Sequence, residues 1–512
     1  MKFWKDLITS LIGGIILGLI VSMLMPGGFM WQAWFASSIL SWISIFVLLN
    51  VWRRTSGTKA LAWIMAIAFV LRLGVGIAVS LVIQEHGYDT EQQQAGYIFY
   101  DAFRRDVESW GLVESGEKLW DVFWVGFDTD QYGGLLVSST FIYRYLSPDM
   151  HRPFLILILT AFASSLAVAF FWYTVKVRWS MSLANLAAWI LALYPDSILF
   201  GASQMREPFL IALSAIAFWA VVRWQKQKWL SIAVLLLSLF LMVFLSPLIA
   251  AMYAVFLALW FWIEYLVPRS RSWLVIGLVI MVVVLMGVIF FGWGWFKNST
   301  EWDMLLTERS SGWVQKIVEE AGTQWRLPII TIYGIAQPVL PAAIAEPTIP
   351  IWKVIAIPRA LGWYAMVPLL IYCLFIVWKE KDKKERNIFI WMIMFMLLWL
   401  FISSARAGGD QWDNPRYRIE FILWYSLLSA WAILWAKDHR DAWLVRWIIV
   451  ECIFLGFFTN WYFSRYFNWW KRLPFWENVL WIVVLSGIVI GGGILWDFSR
   501  SKLIERKENK SK

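Results

Sequence analysis

Charge is scarce in this sequence. Asp, Glu, Lys and Arg make up 16% of the 512 residues, against 60% hydrophobic. A soluble domain of this length needs a polar coat, and this composition has none to supply, so a water-soluble globular enzyme is excluded. Cysteine is scarcer still. Cys373 and Cys452 each lie inside an apolar run, which excludes a disulfide framework, a CxxC motif and a cysteine zinc site, and both read as small core residues. The three histidines, His86, His151 and His439, are scattered far apart along the chain, so no metal-binding pair or nucleophile–histidine couple is visible. No internal repeat or low-complexity tract is present, and this argues against the duplicated halves common among transporters.

What the chain has in abundance is apolar runs of the length a bilayer demands of a helix, about 20 residues. They fall at 7–25, 31–52, 60–84, 153–175, 181–195, 207–222, 229–246, 248–267, 273–295, 354–378, 388–404, 419–436, 443–462 and 477–496, fourteen in all. The pattern predicts an all-α polytopic membrane protein, one domain over 1–512. The first run follows Lys2 and Lys5 without a small-residue cleavage site, so it reads as a retained span. Forty tryptophans, many where apolar runs meet polar loops, suit interfacial belts and contact with membrane lipids.

The net charge of +10 would suggest nucleic acid in a soluble protein. Here its distribution gives an orientation. The short loops WRRTSGTK, KVRW, RWQKQK, PRSRS, KEKDKKER and AKDHRDAWLVR, and the tail 497–512, fall on one side and are all basic. The positive-inside rule makes that side cytoplasmic, with both termini, and no nucleic-acid partner is needed. All loops of real length then face outward: 85–152, the first and largest; 196–206; 296–353; 405–418; and 463–476. Any chemistry is expected on the extracytoplasmic face of the cytoplasmic membrane.

Within 85–152, the segment 95–110 (AGYIFYDAFRRDVESW) has helical character, with Tyr97, Asp101 and Glu108 near one face. A carboxylate at the membrane surface beside aromatic residues can take a proton from a hydroxyl as a general base. The alternative is a solvated amphipathic helix whose acids pair with Arg104 and Arg105. Asp128-Thr129-Asp130 can share a divalent cation, or can simply form the turn that leads into the amphipathic segment 135–146. No cofactor is required by this pattern, and a divalent cation is admitted only there.

The second outer loop clusters Asp196, Arg206 and Glu207 in an otherwise apolar hairpin, where Arg206 can meet a lipid phosphate or pair with Glu207. Arg72, inside the third span, needs an anion. The Pro-rich tract LPIITIYGIAQPVLPAAIAEPTIP in 296–353 is too broken for a span and suits a re-entrant or interfacial segment. The stretch 404–418 ends in Pro415-Arg416-Tyr417-Arg418 at the mouth of a span. Two guanidinium forks at one membrane boundary can hold a polyprenyl-phosphate headgroup, or can snorkel to lipid headgroups.

Taken together these residues resemble the GT-C superfamily of integral-membrane glycosyltransferases, especially the protein O-mannosyltransferase and aminoarabinose transferase group. The resemblance rests on Arg72-Leu73 before a large acidic first outer loop and on Tyr100-Asp101-Ala102 within it. Tyr194-Pro195-Asp196 followed by Arg206-Glu207, and Pro415-Arg416-Tyr417-Arg418 before a late span, complete it. It implies a GT-C-like fold and transfer of a sugar from a polyprenyl-phosphate donor to a lipid, glycan or protein acceptor. Asp101 would be the base, with Asp106 and then Asp89 next in line. Arg416, Arg418, Arg206 and Arg72 would hold the donor phosphate, and Tyr97, Tyr100 and Glu207 would bind substrate. The chain departs from the family where an adjacent Asp-Glu pair is common, since Glu91-Gln92-Gln93-Gln94 stands there. A flippase or transporter of lipid-linked sugars, and a surface-polysaccharide polymerase or ligase, are the alternatives.

Overall fold

The structure is a computed structural model. It describes residues 2–25, 30–123, 133–267, 312–407 and 410–511, with a few helical positions between 275 and 290. Among the described residues every regular element is helical, because hydrocarbon leaves no other way to satisfy a spanning backbone than helices or closed barrels. Ten helices are long and apolar enough to cross a membrane, or up to twelve if each of two sharply bent pairs counts as one span. The chain is a multi-pass helical membrane protein.

The structure divides into two compact units, Met1–Ser299 with Pro415–Leu427, and Thr300–Asn414 with Leu428–Lys512. The first unit opens with a hairpin of α1 (Lys2–Leu24) and α2 (Trp31–Arg54). Gly14 and Gly18 form a GxxxG face that lets the two backbones touch. A Cβ on Gly18 would stand 2.5 Å from the backbone nitrogen of Ser38, and Ser37 Oγ donates to Gly18 O at 2.9 Å. Helix α3 (Lys59–His86) starts at Thr58, whose hydroxyl accepts from the Leu61 amide.

The polar loop then builds α4 (Glu91–Gln94), α5 (Tyr100–Ser115) and α6 (Gly134–Leu146), close to the expected amphipathic 135–146. The helix expected at 95–110 is displaced. Gly96 takes φ +88°, a left-handed turn that ends α4, and Phe99 is extended, so the helix starts only at Tyr100 and leaves Tyr97 outside it. Helix α7 (Phe154–Arg178) is the most enclosed of the candidate spans and packs against α2 and α3.

Next come α8 (Met181–Leu193) and α9 (Pro195–Gly201), bent by 59° at Tyr194. Pro195 has no N–H, so it breaks the hydrogen-bond ladder and leaves the last carbonyls of α8 without helical partners. Arg72 of α3 caps them. Its Nη1 donates to Ala192 O at 3.0 Å and its Nη2 to Leu191 O at 3.2 Å and Ser197 Oγ at 2.7 Å. This is the anion the buried arginine needed: the negative end of a broken helix. The Nη donors of Arg72 are engaged in this cap, and the residue is 1% exposed.

The unit continues with α10 (Glu207–Val222), α11 (Lys228–Leu245) and α12 (Pro247–Phe261). Fourteen spans are not reached among the described residues. The 273–295 run lies almost wholly outside them. The 181–195 and 419–436 runs are each half of a bent pair. Helix α10 has 16 residues, about 24 Å at 1.5 Å each, short of a hydrocarbon core of roughly 30 Å.

The second unit holds α13 (Gly312–Ala321), α14 (Arg326–Ala336), α15 (Leu340–Ala345), α16 (Pro350–Ile376) and α17 (Lys383–Arg406). Two short helices, α14 and α15, thus stand where the Pro-rich tract suggested a re-entrant or interfacial segment. The chain then forms α18 (Asp413–Ile419) and α19 (Ile422–His439), bent by 77°. It ends in α20 (Trp443–Phe467) and α21 (Phe475–Ser511). Leu340, Trp363, Tyr364 and Leu400 form a core of this second unit. Cys373 is buried as expected, but Cys452 is exposed on α20, whose apolar stretch has none of its residues buried.

Candidate functional site

In the first unit, three residues far apart in sequence meet at the polar ends of three helices. Asp101 occupies the first turn of α5, Glu207 is the first residue of α10, and Arg416 lies on α18. Arg416 Nη1 donates to Asp101 Oδ2 at 2.7 Å, and its Nε donates to Glu207 Oε1 at 2.8 Å. Both carboxylates sit at helix N-termini, where the helix dipole favours negative charge.

Each strut of this triad has a local cause. The 415–427 segment is fastened by aromatic packing: Phe421 stacks on Tyr253 of α12 at 4.5 Å, and Trp424 meets Phe218 of α10 at 4.3 Å. Tyr253 also donates its hydroxyl to Glu420 O. Helix α5 is held against α9 and the turn after it: Phe99, just before α5, stacks on Phe200 at 5.0 Å and Arg105 Nη1 donates to Gln204 O at 3.3 Å. Gln204 in turn donates to Pro153 O at 3.1 Å. Asp101 and Glu207 are thereby brought to opposite ends of one guanidinium.

The two ends differ in solvation. The Glu207 side chain is fully buried, that of Arg416 is 13% exposed, and that of Asp101 is 49% exposed. Partial burial pulls the Asp101 carboxyl upward, but the Arg416 guanidinium, helped by Arg105 and Arg206, outweighs it. Asp101 is held below the ordinary carboxylate value.

Asp106, the second candidate base, has a different environment. It is 1% exposed. Its carboxylate accepts from the hydroxyls of Tyr97 and Tyr143 and lies 2.8 Å from His151 Nε2. His151 stacks on Trp110 at 5.4 Å. Burial first, and then the Asp106 charge, push both tyrosine hydroxyls well above their usual value, so they remain donors. This cluster ties α5 to α6 and to the turn before α7. Asp106 is enclosed by these partners, and Tyr97, engaged with Asp106, is 8% exposed. Tyr100, by contrast, is 53% exposed, with Arg104 over its ring at 5.5 Å.

Arg206 lies beside the triad, its Nη1 reaching Leu245 O at 3.4 Å at the corner between α11 and α12. These two helices line an apolar hollow of about 670 Å³ whose walls include Leu236, Phe240, Val243, Pro247 and Ala254. Arg418 is 3% exposed, withdrawn into the protein, and Asp196 is buried at the start of α9. Asp128 and Asp130 lie outside the described residues. Among the described residues, no group of three or more His, Cys, Asp and Glu side chains is arranged to hold a metal.

Sequence patterning missed Tyr143, His151 and Gln204, and had Arg105 pairing only with the acids of its own helix. Tyr143 and His151 are 37 and 45 positions from Asp106, so no periodicity links them. Their presence in the same polar loop was the one available signal. Family models, curated proteins and solved structures were searched, and none matches this chain.

Proposed function

We propose that this protein is a membrane glycosyltransferase that moves a sugar from a polyprenyl-phosphate donor to a hydroxyl acceptor at the extracytoplasmic face. The contact that carries this reading is Asp101–Arg416–Glu207. A half-exposed carboxylate and a guanidinium suited to phosphate, 315 positions apart, meet on the end of one helical unit. In the transfer step the acceptor O–H gives its proton to Asp101 as its oxygen bonds to the sugar's anomeric carbon. The bond from that carbon to the phosphate oxygen breaks, and the electron pair leaves with the polyprenyl phosphate.

Arg416 is the cation that would stabilise that developing charge, with Arg206 as a second cation nearby. Glu207 is a positioning residue, which fixes the fork of Arg416 from behind. The apolar hollow between α11 and α12, next to Arg206, is suited to an isoprenoid chain. The cytoplasmic membrane, with both termini inside, is the location that the basic short loops support.

The test is transfer by the purified protein from a panel of polyprenyl-phosphate sugars to soluble and lipid acceptors, wild type beside Asp101→Asn. Loss of the base should slow transfer by a factor on the order of 10²–10⁴. Full transfer by Asp101→Asn overturns the assignment of the base. Absence of both transfer and donor hydrolysis across the panel, with uptake of lipid-linked sugar in vesicles, points to a transporter or flippase. A parallel run with EDTA decides whether Asp128 and Asp130 hold a required divalent cation.

A further inference from the structure

We propose that the donor phosphate and Asp101 compete for the same end of Arg416, so that donor binding itself frees the base. The inference rests on the transferase reading above and adds a rule to it: carboxylate and phosphate are mutually exclusive partners of one guanidinium.

The geometry makes the two ends of the fork unequal. Nε faces Glu207, whose side chain is fully buried and has no water to replace a lost partner. Nη1 faces Asp101, whose side chain is 49% exposed, so water can take over that carboxylate's hydrogen bonds as it leaves. Half-solvated ion pairs of this kind add little to stability. A phosphate offers more acceptor oxygens and matches the planar fork bidentately. The exchange therefore runs one way: Glu207 stays, Asp101 moves off, and phosphate takes its place. The charge on the phosphate grows as the glycosidic bond breaks, so the new pair tightens toward the transition state.

The exchange also changes the chemistry of Asp101. While Arg416 pairs with it, its basicity is lowered, with Arg105 and Arg206 as the further cations facing it. Once phosphate neutralises Arg416, the strongest of these influences is removed and the carboxylate becomes a better proton acceptor. An empty enzyme thus holds a poor base, and a loaded one a competent base.

Two measurements test this. In the first, farnesyl phosphate is titrated against the full-length protein in nanodiscs, wild type beside Asp101→Asn and Glu207→Gln. Removal of the competing carboxylate should tighten binding by about three- to five-fold in Asp101→Asn, while transfer by that variant falls. Glu207→Gln should bind at least about ten-fold more weakly, as its guanidinium loses its fixed partner. Equal or weaker binding by Asp101→Asn, with normal binding by wild type, overturns the competition and leaves the transferase reading intact. Absence of binding by every form, together with absence of transfer, overturns both.

The second measurement uses wild type alone and survives any folding defect of a variant. The acid limb of kcat, which reports the loaded enzyme, should lie at higher pH than that of kcat/KM, which reports the free enzyme. Coincident limbs overturn the proposal.

Discussion

The unequal burial of the two carboxylates on Arg416 leads to a stability contrast that can be worked out in advance. Glu207→Gln leaves a guanidinium that is 13% exposed without the charge that faced its Nε. Removing one member of a buried pair typically costs about 3–5 kcal/mol. The lower end applies here, since the Gln carbonyl still accepts one hydrogen bond and Asp101 still faces Nη1. Asp101→Asn removes the half-exposed partner, and such pairs contribute roughly 0–1 kcal/mol. The assay is thermal unfolding of the detergent-purified protein, followed by tryptophan fluorescence at neutral pH and low salt. At roughly 1–2 °C per kcal/mol for a chain of this length, from about 2.1 cal/mol/K of unfolding entropy per residue, Glu207→Gln should lower the midpoint by about 3–6 °C, and Asp101→Asn by no more than about 2 °C. A shift for Asp101→Asn as large as that for Glu207→Gln would refute the view that burial divides the triad into a fixed and an exchangeable half.

Three further outcomes are expected. Because the folded Asp101 carboxyl is held below its ordinary value, its ion pair contributes stability that is full above the unfolded value of about 3.9 and disappears as pH falls through the folded value. The small difference between wild type and Asp101→Asn should therefore persist from pH 7 to about pH 5 and vanish in stronger acid, which unfolding midpoints across that range will check. Asp106→Asn takes the charge from beneath two tyrosine hydroxyls and His151. At about 1.5–3 kcal/mol per hydrogen bond to a charged group, it should destabilise the protein more than Asp101→Asn and change the fluorescence of Trp110, which stacks on His151. Gly18→Leu drives a side chain into the backbone at Ser38. It should cost about 1–3 kcal/mol or more through overpacking, seen as protease sensitivity of the α1–α2 hairpin, whereas a Leu at Gly111, where a Cβ meets nothing within 4 Å, should not.

The amino-acid sequence alone was enough to establish the class of this protein. Hydrophobic length is a local property, and a run of about 20 apolar residues has few fates besides a membrane helix. It also marked Asp101, Arg206, Glu207 and Arg416, because charge is costly near a bilayer and stands out against a 60% hydrophobic background. Hydropathy did not register the breaks. Pro195 turns an apparent span into a bent pair, and Gly96 moves the start of α5 past Tyr97. Both are backbone events that an average over many residues smooths away.

Only the tertiary structure decided which charges meet. Arg72 and Arg416 are both arginines near apolar helices, and no pattern distinguishes them. One ends on the orphaned carbonyls of α8, the other between two carboxylates. Asp101 and Asp106 lie five residues apart on one helix, yet one is half open to solvent and the other is enclosed by Tyr97, Tyr143 and His151. Partner and solvation are set by packing across tens to hundreds of residues. That is why the candidates were legible in the sequence while their partners and burial had to come from the fold.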